Sequence, residues 1–234
     1  TLSADTSGAD FLKIDAHPYA AAAGGALVAG TGNPHQALAV ANQAGLAHVT
    51  NSILALSTMP WIGGTLFFDC TWIESPGPEI PLTLGLALTG FSSLTVEQFD
   101  INGEHRGDTA LFDCAASFLA SLPLPVEGLS AGAAARFIIR DVYESILYGF
   151  ALDLSVLWRF QLFGFGEPGF ANFSLGLAIR NLGPNLAFSG GDTFSDRLPT
   201  TLSLGMRWQS RESGLLVPWL SLEMTSYANE GEKN

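Results

Sequence analysis

Apolar and polar side chains alternate with a period of two residues along most of the chain after residue 50. The clearest example covers residues 150–162, where seven large apolar side chains fall on one face and mostly small or polar ones on the other. Because neighbouring side chains of a β-strand point to opposite faces, the pattern predicts about nine strands. Further examples lie at residues 66–73, 82–88, 112–121, 129–140, 173–179, 202–208 and 220–225.

The composition indicates that the predicted strands lie in a membrane. Charged residues make up 14% of the 234 residues, against about 25% in an ordinary soluble domain. The chain has no run of ~18 consecutive apolar residues that could form a transmembrane helix. Its alternating segments do match the ~9–11 residues that a tilted strand needs to cross a bilayer. We therefore predict an all-β fold, an antiparallel transmembrane β-barrel whose strands lie within residues 51–234.

A soluble β-sandwich or small barrel is the alternative, because it shows the same alternation with the apolar face inside. Its polar face would meet water and usually carries Lys, Glu and Thr. Here that face carries Gly, Ala and Ser with scattered Arg and Asp, which suits a crowded barrel interior better. The two longer connections, residues 92–109 and 183–199, are expected on one side of the sheet, as in barrels with long outer loops.

Charged side chains on the predicted polar faces are the main candidates for function. Facing lipid, each arginine would cost ~2–4 kcal/mol at the bilayer midplane, so we expect these side chains to face the barrel interior. They could form a structural network or line a solute path, and both interpretations stay open. The candidates for the interior or a ligand path, including four apolar positions, are Phe67, Asp69, Leu119, Arg136, Ile138, Arg140, Asp153, Leu157, Arg159, Arg180 and Arg207.

Two strings resemble enzyme motifs, but we expect no catalysis. Residues 128–132 match G-x-S-x-G, yet all four histidines precede Ser130, whereas the hydrolase order places the histidine after the serine. Residues 164–169 match G-x-G-x-x-G but lead into a strand, so a turn explains them better than a nucleotide site. His105 is expected in a solvated loop, and the histidines lack metal-ligand spacing. No metal and no cofactor is predicted.

Charge and cysteine content narrow the remaining possibilities. The net charge of −12 argues against nucleic acid as a partner, because nucleic acid requires basic patches. Cys70 and Cys114 are too few for a disulfide framework. They would lie on the second and fourth strands, ~9–10 Å apart, beyond the ~7 Å limit between Cα atoms for a bridge. We therefore expect no disulfide.

Several segments resemble the PorV/PorQ family of outer-membrane proteins, which share the barrel fold of the fatty acid transporter FadL. The matches carry Gly-Ala-Asp-Phe-Leu-Lys-Ile near the start and Asn-Gln-Ala-Gly-Leu-Ala further on, where Gln43 replaces the family's usual proline. Their order and spacing span most of the chain. The matching segments are residues 8–14, 24–26, 42–47, 149–154, 176–184 and 198–205.

The resemblance implies a bacterial outer-membrane location and an N-terminal segment folded inside the barrel. Residues 1–50, which are rich in Ala and Gly and aperiodic, are therefore expected to form a plug that includes Asn42, Gly45 and Leu46. Residues 229–234 lack the terminal aromatic residue of such barrels, and we expect the chain to be incomplete at its C-terminal end.

Two functions follow from the resemblance. The first is uptake of hydrophobic molecules such as long-chain fatty acids through a FadL-like channel. The second is a PorV-like accessory or carrier role in type IX protein secretion at the cell surface. The expected partners are outer-membrane lipid and either hydrophobic small molecules or exported protein segments.

Overall fold

The computed structural model describes ten parts of the chain, and they form an all-β structure with a short helical N-terminal segment. No helix in these parts is both long and apolar enough to span a bilayer. The described parts are residues 9–14, 17–30, 41–60, 64–75, 80–93, 96–142, 145–161, 171–188, 195–210 and 219–228.

Thirteen strands and three short helices make up these parts. The helices are two 3₁₀ helices, Asp10–Lys13 and Gln43–His48, and the α-helix α1, Pro18–Ala22. The strands are β1 Ile53–Pro60, β2 Thr65–Glu74, β3 Thr83–Ser93, β4 Val96–Phe99, β5 His105–Thr109, β6 Phe112–Pro123, β7 Leu129–Val142, β8 Ser145–Gln161, β9 Ala171–Leu182, β10 Leu186–Phe188, β11 Ser195–Asp196, β12 Thr201–Ser210 and β13 Trp219–Tyr227.

Eleven strands form one antiparallel sheet, and nine of them follow one another in the order β1-β2-β3-β6-β7-β8-β9-β12-β13. This confirms the predicted all-β class and each of the alternating segments as a strand. Within the described parts, β1 pairs only with β2 and β13 only with β12, so the sheet is open at these two strands. Since nine strands alternate in direction, β1 and β13 point the same way.

The two predicted long connections leave the sheet at the same end of its strands. We call this end of the sheet the hairpin edge. Both connections are only partly loops. Strands β4 and β5 form a separate hairpin between β3 and β6. Strand β10 pairs with both β11 and the first part of β8. This part of β8 does not pair with β9.

The two faces of the sheet differ as the alternation predicted. We call the face that packs against the N-terminal segment the inner face and the opposite one the outer face. On β8, Leu152, Leu154 and Trp158 are exposed on the outer face, whereas Asp153 and Leu157 are completely buried on the inner face. Cys70 and Cys114 lie in the outer-face register and are free, as expected.

One of the predicted interior residues is exposed. Arg159 shares the inner-face register of β8 but is exposed. It lies two residues from the end of the strand.

Glycines on the inner face let the N-terminal segment approach the sheet closely. A Cβ atom at Gly132 would overlap the backbone nitrogen of Ala44, and one at Gly176 would overlap the carbonyl of Val28. Glycine is one of the small residues that distinguish the inner face from the water-exposed polar face of a soluble protein. These two glycines are contact points for the N-terminal segment.

Candidate functional site

The candidate site is the interface between the N-terminal segment and the inner face of the sheet. The second 3₁₀ helix contacts β6, β7 and β8. Of the predicted interior positions, ten have buried or half-buried side chains on this face, and Arg159 is the exception. The structure divides the ten into a polar network, an apolar cluster and separate arginines.

A buried ion pair forms the centre of the polar network. The Nη2 atom of Arg136 lies 2.7 Å from Oδ2 of Asp153, and both side chains are at most 5% exposed. The Nη1 atom donates to Oδ1 of Asn181 at 2.7 Å, and Nε donates to Oγ of Ser117 at 3.2 Å. All three nitrogens of the guanidinium therefore donate hydrogen bonds, as a buried charge requires.

Asn181 completes this network through an unusual backbone conformation. Its φ of 56° lies in the left-handed region, which asparagine adopts more readily than most residues. The pairing of β8 with β9 shifts register beside it, and its side chain turns to the inner face. Its N–H then donates to Oδ1 of Asp153 at 2.7 Å, and its Nδ2 to the carbonyl of Pro199 at 3.1 Å.

The second 3₁₀ helix is held by the sheet through the backbone of Ala44. The Ala44 N–H donates to Oγ of Ser155 and to Oδ1 of Asn42, both at 3.0 Å. The Ala44 carbonyl accepts from Oγ of Ser130 at 2.8 Å and of Ser121 at 3.3 Å. Serines of three strands thereby form hydrogen bonds with the backbone N–H and C=O groups of Ala44.

The side chains beside Ala44 continue this anchoring. Gln43 donates from Nε2 to Asp153 at 3.5 Å and accepts from Ser155 at 3.3 Å. It thus connects the helix with the ion pair. Gly45 and Leu46, predicted as plug residues, are buried, and Leu46 packs with Leu119 in an apolar cluster.

The apolar candidates pack against the N-terminal segment and neighbouring loops. Phe67 and Ile138 belong to a buried cluster that includes Phe11 of the first 3₁₀ helix and Leu186 and Leu198 of the connection after β9. Leu157 is completely buried. These positions form a core between sheet and segment.

The remaining charged candidates have separate surroundings. Arg140 pairs with Asp113, with Nε 3.3 Å from Oδ1, and Asp69 accepts from the hydroxyl of Thr71 at 3.0 Å. Arg207 stacks on the ring of Trp219, with Cζ 4.6 Å from the ring centroid. Arg180 contacts hydroxyl groups and lines a cavity that is described below.

The structure decides between the interpretations of the enzyme-like strings that it covers. Gly128, with φ 72°, precedes a strand rather than a helix, and Ser130 is buried, donating to Ala44. This is not the geometry of a nucleophile elbow, which needs an exposed serine before a helix. His105 is exposed and lies 2.9 Å from Asp108. The described residues hold no cluster of potential metal ligands, and residues 164–169 lie outside them.

Sequence reasoning missed the residues that bind the N-terminal backbone. From the sequence, three serines, Ser121, Ser130 and Ser155, count only as small residues of the polar face. Asn181 enters only within a segment that resembles the PorV/PorQ family. A run of serines on adjacent inner-face positions is the signal that could have indicated a second layer of backbone.

No protein-family model matches the chain, and no curated protein matches it either.

The ion pair predicts a large loss of stability when one partner is removed. Replacing Arg136 by methionine leaves the carboxylate of Asp153 buried without its counter-ion, and we expect the free energy of unfolding to fall by about 3–5 kcal/mol. The double variant Arg136→Met/Asp153→Leu should recover part of this loss, because no charge stays buried. Urea unfolding followed by tryptophan fluorescence measures both.

The exposed pair between Arg106 and Asp100, with Nη2 3.0 Å from Oδ2, supplies the control. The variant Arg106→Met should change stability by less than about 1 kcal/mol. Equal losses for the single and double variants at positions 136 and 153 would contradict the importance of the charge pair.

Proposed function

We propose that this chain forms a β-barrel of the bacterial outer membrane whose N-terminal segment plugs the interior. Its function would be uptake of hydrophobic molecules, such as long-chain fatty acids, through a FadL-like channel of the PorV/PorQ type, without catalysis. The outer face of the sheet is the observation that carries this proposal.

The outer face is apolar and exposed across all nine strands. Within the described residues it carries two charged side chains, Glu74 and Asp141, each within one residue of the end of its strand. Large apolar side chains such as Leu56, Leu204 and Met224 are 51–71% exposed. Soluble monomers rarely expose continuous apolar patches beyond a few hundred Å², so this face supports contact with lipid.

The apolar zone has the height of a bilayer. On β8 the outer side chains from Ile146 to Trp158 are all large and apolar, which covers about 40 Å along the strand at about 3.3 Å per residue. At a tilt of about 40° this becomes about 30 Å across the membrane, comparable with a hydrocarbon core of ~30 Å.

Aromatic clusters near both ends of the outer face add support. Towards the hairpin edge, the ring of Phe137 lies 6.0 Å from that of Tyr148 and 4.9 Å from that of Phe150. Towards the opposite edge, Phe160 lies 4.8 Å from Trp158 and 5.9 Å from Phe173. Aromatic girdles at both interfaces are typical of outer-membrane barrels.

Closure of this sheet into a barrel would need an odd number of further strands. Bacterial outer-membrane barrels are antiparallel and have an even number of strands, while β1 and β13 point the same way. The polar network around Arg136 and the cluster around Phe67 would then both face the interior. Transport of hydrophobic molecules is favoured because the inner face carries apolar side chains, such as Phe67 and Ile138, where the plug packs against it.

Lipid exposure is tested with spin labels at exposed positions on the outer face and on the hairpin. Labels at Leu154 and Leu204 should be accessible to oxygen and protected from a water-soluble nickel complex, because lipid excludes the complex. A label at Ile101, at the tip of the β4–β5 hairpin, should show the reverse. If the nickel complex reaches Leu204 as readily as Ile101, the outer face meets water and the membrane proposal fails.

Transport is tested in proteoliposomes that contain the full chain. Oleate uptake should exceed that of empty liposomes, and deletion of residues 1–50 should raise the leakage of a small polar dye. The variant Gly176→Phe should also raise leakage, because its side chain needs the space of Val28, whereas Leu177→Phe on the outer face should not. Absent uptake combined with unchanged leakage in the deletion variant would rule out a plugged channel.

The β4–β5 hairpin favours a second candidate function, the PorV-like carrier role. It projects from the hairpin edge and presents Ile101 fully exposed and Phe99 57% exposed. Oδ1 of Asp100 accepts from the N–H groups of Asn102 and Glu104, both at 2.9 Å. The Glu104 N–H, with that of Asn102, lowers the pKa of Asp100 below its ordinary value. An ordered turn with exposed apolar side chains is suited to protein contact.

The two functions separate when the hairpin is removed. In cells with a type IX secretion system, replacing residues 96–109 by a Gly-Ser linker should reduce the amount of exported protein at the cell surface under the carrier role. Oleate uptake by the same variant in liposomes should stay unchanged. Unaltered surface protein in those cells would contradict the carrier role.

A further inference from the structure

A polar cavity of about 220 Å³ lies between the N-terminal segment and the last strands of the sheet. It is near the hairpin edge, and Gly24 and Gly25 form part of its wall. Around it lie the side chains of Lys13, Arg180, Asn181, Thr201, Glu223, Thr225 and Tyr227, which carry polar atoms, and that of Leu12, which does not. We propose that this cavity binds a small hydrophilic oxyanion, a phosphate or a short carboxylate, through the guanidinium of Arg180.

Arg180 has hydrogen-bonding capacity left over on this wall. Its Nε donates to Oγ1 of Thr201 and its Nη2 to Oγ of Ser203, both at 3.3 Å. Among the described residues no carboxylate forms a salt bridge with it. A guanidinium has five N–H donors, so three remain for a ligand. Two of them in one plane match the bidentate geometry of carboxylate and phosphate.

Glu223, the acidic residue of the wall, does not neutralise Arg180. Its Oε2 accepts from the N–H of Val28 at 2.9 Å, and its Oε1 accepts from the hydroxyl of Thr225 at 3.2 Å. The hydroxyl of Thr225 in turn lies 2.7 Å from that of Ser203. This chain fixes the carboxylate to the N-terminal segment and leaves the guanidinium facing the cavity.

The second cation of the wall, Lys13, adds a positive charge that Asp10 partly offsets. Nζ of Lys13 lies 3.3 Å from Oδ1 of Asp10 and 5.4 Å from the ring centroid of Tyr227. Its positive charge therefore stays close to the cavity without closing it. Because hydroxyl and amide groups make up much of the wall, a hydrophilic anion fits better than an alkyl chain. This site is separate from the hydrophobic uptake proposed above.

Isothermal titration calorimetry of the full chain in detergent micelles tests the site, with sodium phosphate and sodium acetate as separate probes at pH 7 and constant ionic strength. We expect saturable binding of at least one probe with a Kd of about 1 mM or tighter. Binding of phosphate alone assigns a phosphoryl ligand and binding of acetate alone a carboxylate. The absence of saturable binding for both probes would overturn the proposal.

Variants identify the residue responsible. Arg180→Gln should weaken binding at least about tenfold, because it removes charge-assisted hydrogen bonds. Arg180→Lys keeps the charge and the aliphatic stem but not the planar fork. Its affinity for the anion should therefore lie between those of the wild type and of Arg180→Gln, and its fold should persist. Arg106→Gln, which removes the same charge from the exposed hairpin, should bind like the wild type. Unchanged binding in a folded Arg180→Gln protein would overturn the assignment.

Discussion

The burial of one ion pair constrains the surrounding structure. Arg136 and Asp153 face each other from adjacent strands on the inner face, and neither has access to bulk water. Charges in such a place are tolerated only when every donor and acceptor finds a partner. Ser117 and Asn181 supply partners from the sheet, and Gln43 supplies one from the N-terminal segment. Sheet, segment and the connection after β9 must therefore be in place together.

The N-terminal segment depends on the sheet in the same way. Its described parts form only short helices and irregular stretches, so many of their N–H and C=O groups need partners outside the segment. Serines on the inner face supply partners for Ala44, and Ser174 donates to the carbonyl of Ala29 at 2.6 Å. Gly132 and Gly176 provide the space. A side of the sheet made of small and hydroxyl residues thus recognises backbone, while its few large apolar residues form the core.

The two faces give the molecule separate functional surfaces. The outer face combines exposed leucines with aromatic clusters, and its chemistry suits lipid. The inner interface holds a satisfied polar network that suits a stable plug better than an open pore. Near the hairpin edge lie the two features with capacity left for ligands, the cavity beside Arg180 and the hairpin tip at Ile101. Their position at one edge makes that edge the place where we expect specific recognition.

The sequence by itself indicated most strands of the large sheet and the faces of their side chains, but not the short strands β4, β5, β10 and β11. Alternation is a local property with a period of two residues, so the phase of β8, with Leu154 outside and Asp153 inside, could be read without any knowledge of its neighbours. Only the tertiary structure decided which groups meet. Asn181 joins the network because of a register shift, and Ser130 meets Ala44 across 86 positions of the chain. Such contacts depend on the pairing of distant strands and on a left-handed backbone conformation, neither of which leaves a periodic trace in the sequence.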